Sequence, residues 1–418
     1  MIKILTPRLN NVAGGGGLFG RLRYPLCGIL MMLCLGNVYA WSVFRNPLME
    51  AYGWTMAQAT LPFQVLISVF AVSMIFAGRW QDKAGPRPVA LLGGLLVGAG
   101  CVLAGLFGSF LPGLVLGFGV LAGAGMGAAY VTPLATTIKW WPDRRGLMTG
   151  LVMLGMGAGS IIGGLLAPRL IEINGPLTTL IILGVIFGTV IISAGAFLRN
   201  PPPGAAQGAP ATAGQGRLAD RHQYSAKEML STSSFYFIWT AFLIGCGVGL
   251  MVISQASPIG QELAGLDAKS AGLSVVILSV FNGLGRLGFG AASDRIGRKN
   301  TFLAAFAIEI LTFLFVLPNA IGFLSYALGL SLIGASFGAF MGVMPSITAD
   351  YFGTRNIGVN YAFVYTAWGA AGILGPMVGI MMKGAWVSSF YLLAGLCAVG
   401  MIVMLLTRPP ARPAPAAQ

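Results

Sequence analysis

Gly78-Arg79-Trp80-Gln81-Asp82-Lys83-Ala84-Gly85-Pro86-Arg87 and Gly290-Ala291-Ala292-Ser293-Asp294-Arg295-Ile296-Gly297-Arg298-Lys299 are the stretches that decide the fold. Gly, Asp and Gly recur in both at an offset of 212 residues. A second pair agrees: Lys139-Trp140-Trp141-Pro142-Asp143-Arg144 and Asp350-Tyr351-Phe352-Gly353-Thr354-Arg355 lie 211 residues apart. Two independent loops at nearly one spacing identify a duplicated unit in parallel orientation. Repeats of this kind build rocking membrane carriers.

The sequence around these loops says what the unit is made of. Of 418 residues, 56% are apolar and only 9% are charged. A soluble domain carries roughly 25% charged residues, so a soluble enzyme and a disordered chain are both excluded. Spanning a bilayer takes about 20 apolar residues as a helix. Twelve such runs lie near 24–44, 60–78, 88–108, 112–136, 147–168, 176–198, 235–256, 269–290, 301–318, 323–348, 358–381 and 387–407. Val38-Tyr39-Ala40 could pass for a signal-peptidase site, but eleven more spans follow, so the first run reads as an uncleaved helix. The expected fold is an all-α membrane protein of twelve transmembrane helices in two six-helix bundles. The N-terminal bundle is expected over 1–198 and the C-terminal one over 235–407. A cytoplasmic linker over 199–234 opens Arg199-Asn200-Pro201-Pro202-Pro203, and a Pro/Ala-rich tail over 408–418 reads as disordered.

Charge orients the chain. With the N-terminus in the cytoplasm, twenty Lys and Arg fall in cytoplasmic segments and four in outer ones: Arg45, Arg169, Lys269 and Lys383. Arg286 alone falls inside a span. That bias supports an even number of spans crossing the cell (inner) membrane with both termini cytoplasmic, and it accounts for the net charge of +14. A nucleic-acid partner would want these cations on one soluble face, which the pattern does not supply.

No cofactor, metal or catalytic set is expected. Cys27, Cys34, Cys101, Cys246 and Cys397 share no metal-ligand spacing, and the single His222 lies in a polar loop. Gly283-Leu284-Gly285-Arg286-Leu287-Gly288 matches a dinucleotide pattern but lies inside an apolar span rather than between strand and helix. Glycines at 119, 123 and 127, and at 155, 159 and 163, read as close helix contacts. The chain therefore reads as no enzyme, and its energy source as a gradient.

The repeated loop resembles the signature of the major facilitator superfamily, and the resemblance covers the whole chain. It marks Asp82, Arg87, Asp294, Arg298, Arg144 and Arg145 as gate residues. Physically, each Asp can accept from backbone N–H groups at a neighbouring helix start, and the arginines can close the inner helix ends. Pro86 departs from the pattern where a cation is usual. Closer matches are Gly36-Asn37-Val38-Tyr39-Ala40-Trp41-Ser42, Trp140 to Gly150, Phe281-Asn282 to Arg286, and Asn360-Tyr361-Ala362-Phe363. These are similar to the oxalate:formate antiporter and monocarboxylate transporter families, which implies a small organic anion as substrate.

In those families the arginine of span eight binds the substrate carboxylate, and that role carries to Arg286. It lies about 12 Å along its helix from Asp294. A buried arginine marks a substrate path or an ion pair, and Glu309, the one acid inside a span, is the alternative partner. Asn282 lies one turn before Arg286 where eukaryotic proton-linked relatives carry an Asp, and Val43 stands where they have a lysine. The proton site is thus either Glu309 or the substrate carboxylate itself. Trp368 stands where the oxalate antiporter has a second cation. One cation balances one carboxylate, which favours monocarboxylates such as L-lactate, pyruvate or acetate. Other lining candidates are Tyr39, Asn37, Trp41, Tyr130, Tyr361 and Tyr365. The expectation is a monomeric, proton-coupled monocarboxylate symporter working by alternating access. An organic-anion exchanger and a non-transporting sensor are the alternatives.

Overall fold

Apolar residues that fill a helix surface on all sides can be buried only against other helices or against lipid. The computed structural model, which describes residues 18–202, 222–382 and 384–410, does both. Among the described residues eleven helices are long and apolar enough to cross a bilayer. One of them, Arg145–Ala196, has 52 residues. At 1.5 Å per residue it would run about 78 Å, more than twice a bilayer core of roughly 30 Å. It breaks at Gly175, where φ is +77°, and so contributes two spans and brings the total to twelve. Large apolar side chains such as Phe76, Leu165 and Leu324 lie exposed around the outside, as lipid contact requires.

The spans are α1 (Gly20–Tyr52), α2 (Met56–Ala84), α3 (Pro86–Phe107), α4 (Leu111–Trp140), α5 (145–174), α6 (176–196), α7 (Ser233–Glu262), α8 (Ala268–Ile296), α9 (Arg298–Asn319), α10 (Gly322–Phe352), α11 (Ile357–Met381) and α12 (Trp386–Leu406). Most extend beyond the apolar runs by several residues, because capping residues and charged ends continue the helix past the hydrocarbon. Asp267, for example, caps α8 by accepting from the Ser270 N–H. Gly85 and Gly297 turn the chain between α2 and α3 and between α8 and α9 at φ +86° and +92°. An L side chain rarely adopts that region, which explains the repeated glycine of the loop motif.

Packing repeats with the sequence. In the first half α1 lies on α5, α2 on α4 and α3 on α6; in the second, α7 lies on α11, α8 on α10 and α9 on α12. The glycine rows do what their spacing predicts. Gly119, Gly123 and Gly127 of α4 press on α2, and Gly155 and Gly159 of α5 press on α1. Between the halves, α2 meets α11 and α5 meets α8. These contacts are backbone-close near one face of the molecule, here the clasped face. There a Cβ on Gly78 would collide with the Gly358 carbonyl, and one on Gly146 with the Gly290 carbonyl. Toward the opposite face α5 and α8 part, so that a Cβ on Gly164 or Gly272 would meet nothing within 4 Å.

Gly146 gives a direct test of the clasped geometry. Gly146→Val leaves the α1–α5 contacts untouched but wedges the halves apart. Solute flux through the reconstituted protein is expected to fall by about tenfold or more, on the order of 1.4 kcal/mol. Elution as a monodisperse species is expected to be unchanged. Normal flux would show that the two halves need not approach this closely.

Candidate functional site

At the clasped face the two halves grip each other reciprocally. The first N–H groups of a helix have no partner within it and carry the positive end of its dipole. Asp294, at the end of α8, accepts from the Gly146 and Leu147 N–H groups at the start of α5, at 2.9 and 2.8 Å. Asp82, at the end of α2, accepts from the Gly358 and Val359 N–H groups at the start of α11, at 3.1 and 2.9 Å. Acceptors and donors are related by the same 212-residue offset, so each half holds the other at equivalent points.

The cations around the two grips differ. Arg298 pairs with Asp294 at 2.6 Å and with Asp350 at 3.0 Å, and Arg145 pairs with Asp350 at 2.8 Å. The result is an electrically balanced network of two arginines and two aspartates spanning both halves. In the first repeat Pro86 occupies the position of Arg298, and Lys139 pairs with Asp82 instead, at 3.6 Å. Lys139 and Asp350 occupy matching places in the duplicated loops, and their signs are reversed to suit each neighbour. Sequence reading missed both, although the signal was there: an Asp deprived of its motif cation needs another. Arg144 lies beside Asp143 at 3.8 Å. Arg87 is exposed, and no ion pair joins it among the described residues.

Deeper between the halves lies Arg286, 1% exposed. Its position follows from small residues on both neighbours. A Cβ on Gly150 of α5 or Gly338 of α10 would collide with the backbone of α8 at Arg286 or Asn282. α8 is therefore held close enough for the Arg286 Nη1 to donate to the Met153 carbonyl across the interface, at 3.2 Å. Its Nε donates to the Asn282 Oδ1, one turn away, at 3.1 Å. Both partners are neutral. Among the described residues no carboxylate lies within 4.0 Å of the guanidinium, so the alternative pair with Glu309 does not form. Glu309 is fully buried in α9, where the Cys397 thiol of α12 donates to its Oε2 at 3.2 Å. Its Oε1 has no hydrogen-bond partner among the described residues.

An aromatic box stands beside Arg286. Tyr130 of α4 and Tyr361 of α11 bring their hydroxyls to 3.4 Å across the two halves. Tyr365 packs against Tyr130 with ring centres 4.9 Å apart, and Trp368 stacks on Tyr365 at 5.1 Å. The Trp368 Nε1 is buried and finds no hydrogen-bond acceptor among the described residues. Phe70 of α2 closes the box, edge-on to Tyr130, Tyr365 and Trp368, and Phe242 of α7 approaches Tyr365. Neither Phe was separable in sequence from an ordinary packing aromatic. Trp41 stands elsewhere: it stacks on Phe118 inside the first bundle, and its Nε1 donates to the Ala59 carbonyl at 3.0 Å. Asn37 donates to the Gly159 carbonyl of α5 at 3.4 Å. The Tyr39 side chain and Lys383 lie outside the described residues.

Two bundles gripping each other at one face and parted at the other, with a buried polar site between, define a helical membrane transporter rather than an enzyme. The comparisons identify the family. The model of the Major Facilitator Superfamily matches residues 26–376 and 256–418, so the chain belongs to that superfamily. It is 31% identical to the oxalate:formate antiporter of Oxalobacter formigenes, over 90% of this chain and 89% of that protein. It is 26% identical to monocarboxylate transporter 12 of Rattus norvegicus, over 72% of this chain and 67% of the relative. Among solved structures it resembles the superfamily transporter FucP in its outward conformation, with a TM-score of 0.71, 16% identity, and 93% of this chain and 98% of that chain covered. A human organic anion transporter gives a TM-score of 0.69 at 16% identity, covering 92% of this chain and 99% of that chain.

The clasp carries its own test. Ser346 is buried on α10 beneath the clasped face, and its hydroxyl lies 3.2 Å from that of Thr149 on α5. A cysteine placed there is shielded while the halves are joined. An Asn side chain offers one acceptor oxygen where Asp82 and Asp294 each use two. Asp82→Asn and Asp294→Asn are each expected to speed maleimide labelling of Ser346→Cys by about tenfold, the order that one charge-assisted hydrogen bond contributes. Unchanged labelling would mean that the aspartates do not hold the halves together.

Proposed function

We propose that this protein is a secondary carrier of small monocarboxylates of the lactate, pyruvate and acetate class, moved with a proton by alternating access. One observation carries the reading: Arg286 is buried between the halves and, among the described residues, hydrogen-bonded only to neutral oxygens. An unpaired arginine at membrane depth costs about 3 kcal/mol on insertion scales. A carboxylate supplies the missing charge and fits the planar fork through two parallel hydrogen bonds. The aromatic box offers apolar walls to a short carbon chain. A dianion would bring a second charge with no second cation to meet it, since Trp368 stands in that place. The functions of the named relatives, oxalate:formate exchange and monocarboxylate transport, both concern small organic carboxylates.

The clasped face is assigned to the cytoplasm. Arg79, Lys83, Arg87, Arg295, Lys299 and Arg355 gather there, as the positive-inside bias requires. Both termini are then cytoplasmic, the membrane is the cell (inner) membrane, and the arrangement is open toward the outside. Residues 1–198 and 235–407 act as the two rocking bodies, joined by the cytoplasmic linker 199–234. The site lies wholly between two bundles of one chain, so a monomer suffices. Asp82, Asp294, Arg145 and Arg298 form the inner gate. When the site is loaded the charge of Arg286 is balanced, and the halves cross with less cost than when it is bare. Glu309 is the candidate proton carrier, being a buried carboxyl with no ion pair among the described residues.

One observation favours a second reading. The 31% identical relative is an antiporter, and an exchanger would need no proton because Arg286 is loaded on both journeys. Counterflow without a pH gradient, set against gradient-driven uptake, separates the two.

For binding, Arg286→Ala is expected to abolish saturable L-lactate binding to the purified protein. Arg286→Lys is expected to weaken it by about tenfold or more, because an ammonium cannot form the two-pronged contact. Oxalate should compete at least about tenfold less well than lactate. Full affinity in the Lys variant, or equal competition by oxalate, would overturn the site. Glu309→Gln is expected to retain lactate exchange and lose its response to a pH gradient. A retained response would move the proton onto the substrate.

A further inference from the structure

The C-terminal part of the 199–234 linker is bound into the α10–α11 turn. The Gln223 Oε1 accepts from two backbone N–H groups at once, those of Thr354 at 2.9 Å and Arg355 at 3.0 Å. The next residue adds three more links. The Tyr224 N–H donates to the Phe352 carbonyl at 3.0 Å. The Tyr224 carbonyl accepts from the amides of Asn356 and Asn360, at 2.9 and 3.0 Å. The Tyr224 ring stands edge-on to Phe352 with centres 5.9 Å apart. Behind them, Ser225 and Glu228 cap the short helix Ala226–Leu230 reciprocally and anchor the stretch.

These contacts bracket one functional point. Thr354, Arg355 and Asn356 precede, and Asn360 follows, the two residues whose N–H groups Asp82 grips. Turns present N–H groups in a chosen direction only when their other backbone groups are satisfied elsewhere. The equivalent grip on the other side is supported differently. There the Arg145–Asp350–Arg298 network joins the halves through charge, whereas Asp82 has a single lysine at 3.6 Å.

The geometry points to Gln223 and Tyr224 as positioning residues for the inner clasp. They hold the start of α11 so that the Gly358 and Val359 N–H groups meet Asp82, and they do so from the end of the linker that joins the two bundles. Gln223 contributes the two bonds that satisfy the Thr354 and Arg355 N–H groups. The inference uses the carrier reading only in that the clasp must open and close, and it is independent of which solute is carried.

The test uses the full chain in detergent with the Ser346→Cys reporter, against a parent lacking it to subtract labelling of native cysteines such as the partly exposed Cys27. Gln223→Ala is expected to raise the maleimide labelling rate about fivefold, the factor that one or two neutral hydrogen bonds contribute. Gln223→Glu retains the acceptor oxygen and should label at the parental rate. Gln223→Met keeps the volume without the acceptor and should match the alanine variant, so the question stays decidable if the alanine variant is poorly recovered. The double variant Gln223→Ala, Asp82→Asn should label no faster than Asp82→Asn alone, because both act on one grip. Parental labelling in both the Ala and Met variants, or effects that multiply in the double variant, would overturn the proposal. Labelling needs no solute, so either result leaves the monocarboxylate reading standing on its own evidence.

Discussion

Two carboxylates gripping two helix starts hold this structure in its present shape. Asp82 and Asp294 each leave their own half and satisfy a pair of otherwise unpartnered N–H groups in the other. Burying such donors without a partner would cost as much as the lost hydrogen bonds, so the interaction is both strong and demanding in direction. It depends on the glycines that let α5 approach α8 and α2 approach α11, and on the turns at Gly85 and Gly297 that follow the aspartates. Everything deeper in the interface follows from this contact. With one face clasped, Arg286, Tyr130 and Tyr361 lie buried between the halves rather than on a lipid surface.

The site and the clasp use opposite electrostatic solutions. At the clasp the buried charges are matched: Arg145, Arg298, Asp294 and Asp350 form a balanced set, and Lys139 matches Asp82. Such a set can hold or release without stranding a charge far from water. At the site one charge meets no carboxylate among the described residues and is oriented by the neutral oxygens of Asn282 and Met153. A guanidinium held that way is prepared for an anion, while the aromatic walls around it prefer an apolar tail. Met153 belongs to one half and Asn282 to the other, so an anion binding there would touch the interface whose rearrangement moves it.

Much of the fold lay open in the sequence because its constraints are local and repeated. The 212-residue offset exposed the duplication, length and apolarity exposed the spans, and the lone intramembrane cation singled out Arg286. The reach of Asp82 and Asp294 to helix starts could be reasoned from the dipole alone. What stayed hidden was set by which helix ends meet. Lys139 and Asp350 lie in loops already aligned, yet their pairing depends on the fold bringing loops 85 and 297 against them. The Met153 carbonyl carries no side-chain signal at all. Phe70 and Phe242 are two phenylalanines among 25, and only packing distinguishes them. Trp41, a candidate lining residue by sequence, points instead into the first bundle, where the short 3₁₀ turn Asn37–Ala40 precedes it and changes the helix phase.

The central claim is that Arg286 carries an organic monoanion and that a proton gradient drives it. The most direct measurement is uptake of labelled L-lactate into proteoliposomes, with and without an inward proton gradient and with the voltage clamped, for the wild type and Arg286→Ala. The account predicts gradient-driven accumulation in the wild type and none in the variant. Uptake that ignores the gradient, or that persists undiminished without the Arg286 guanidinium, would contradict it.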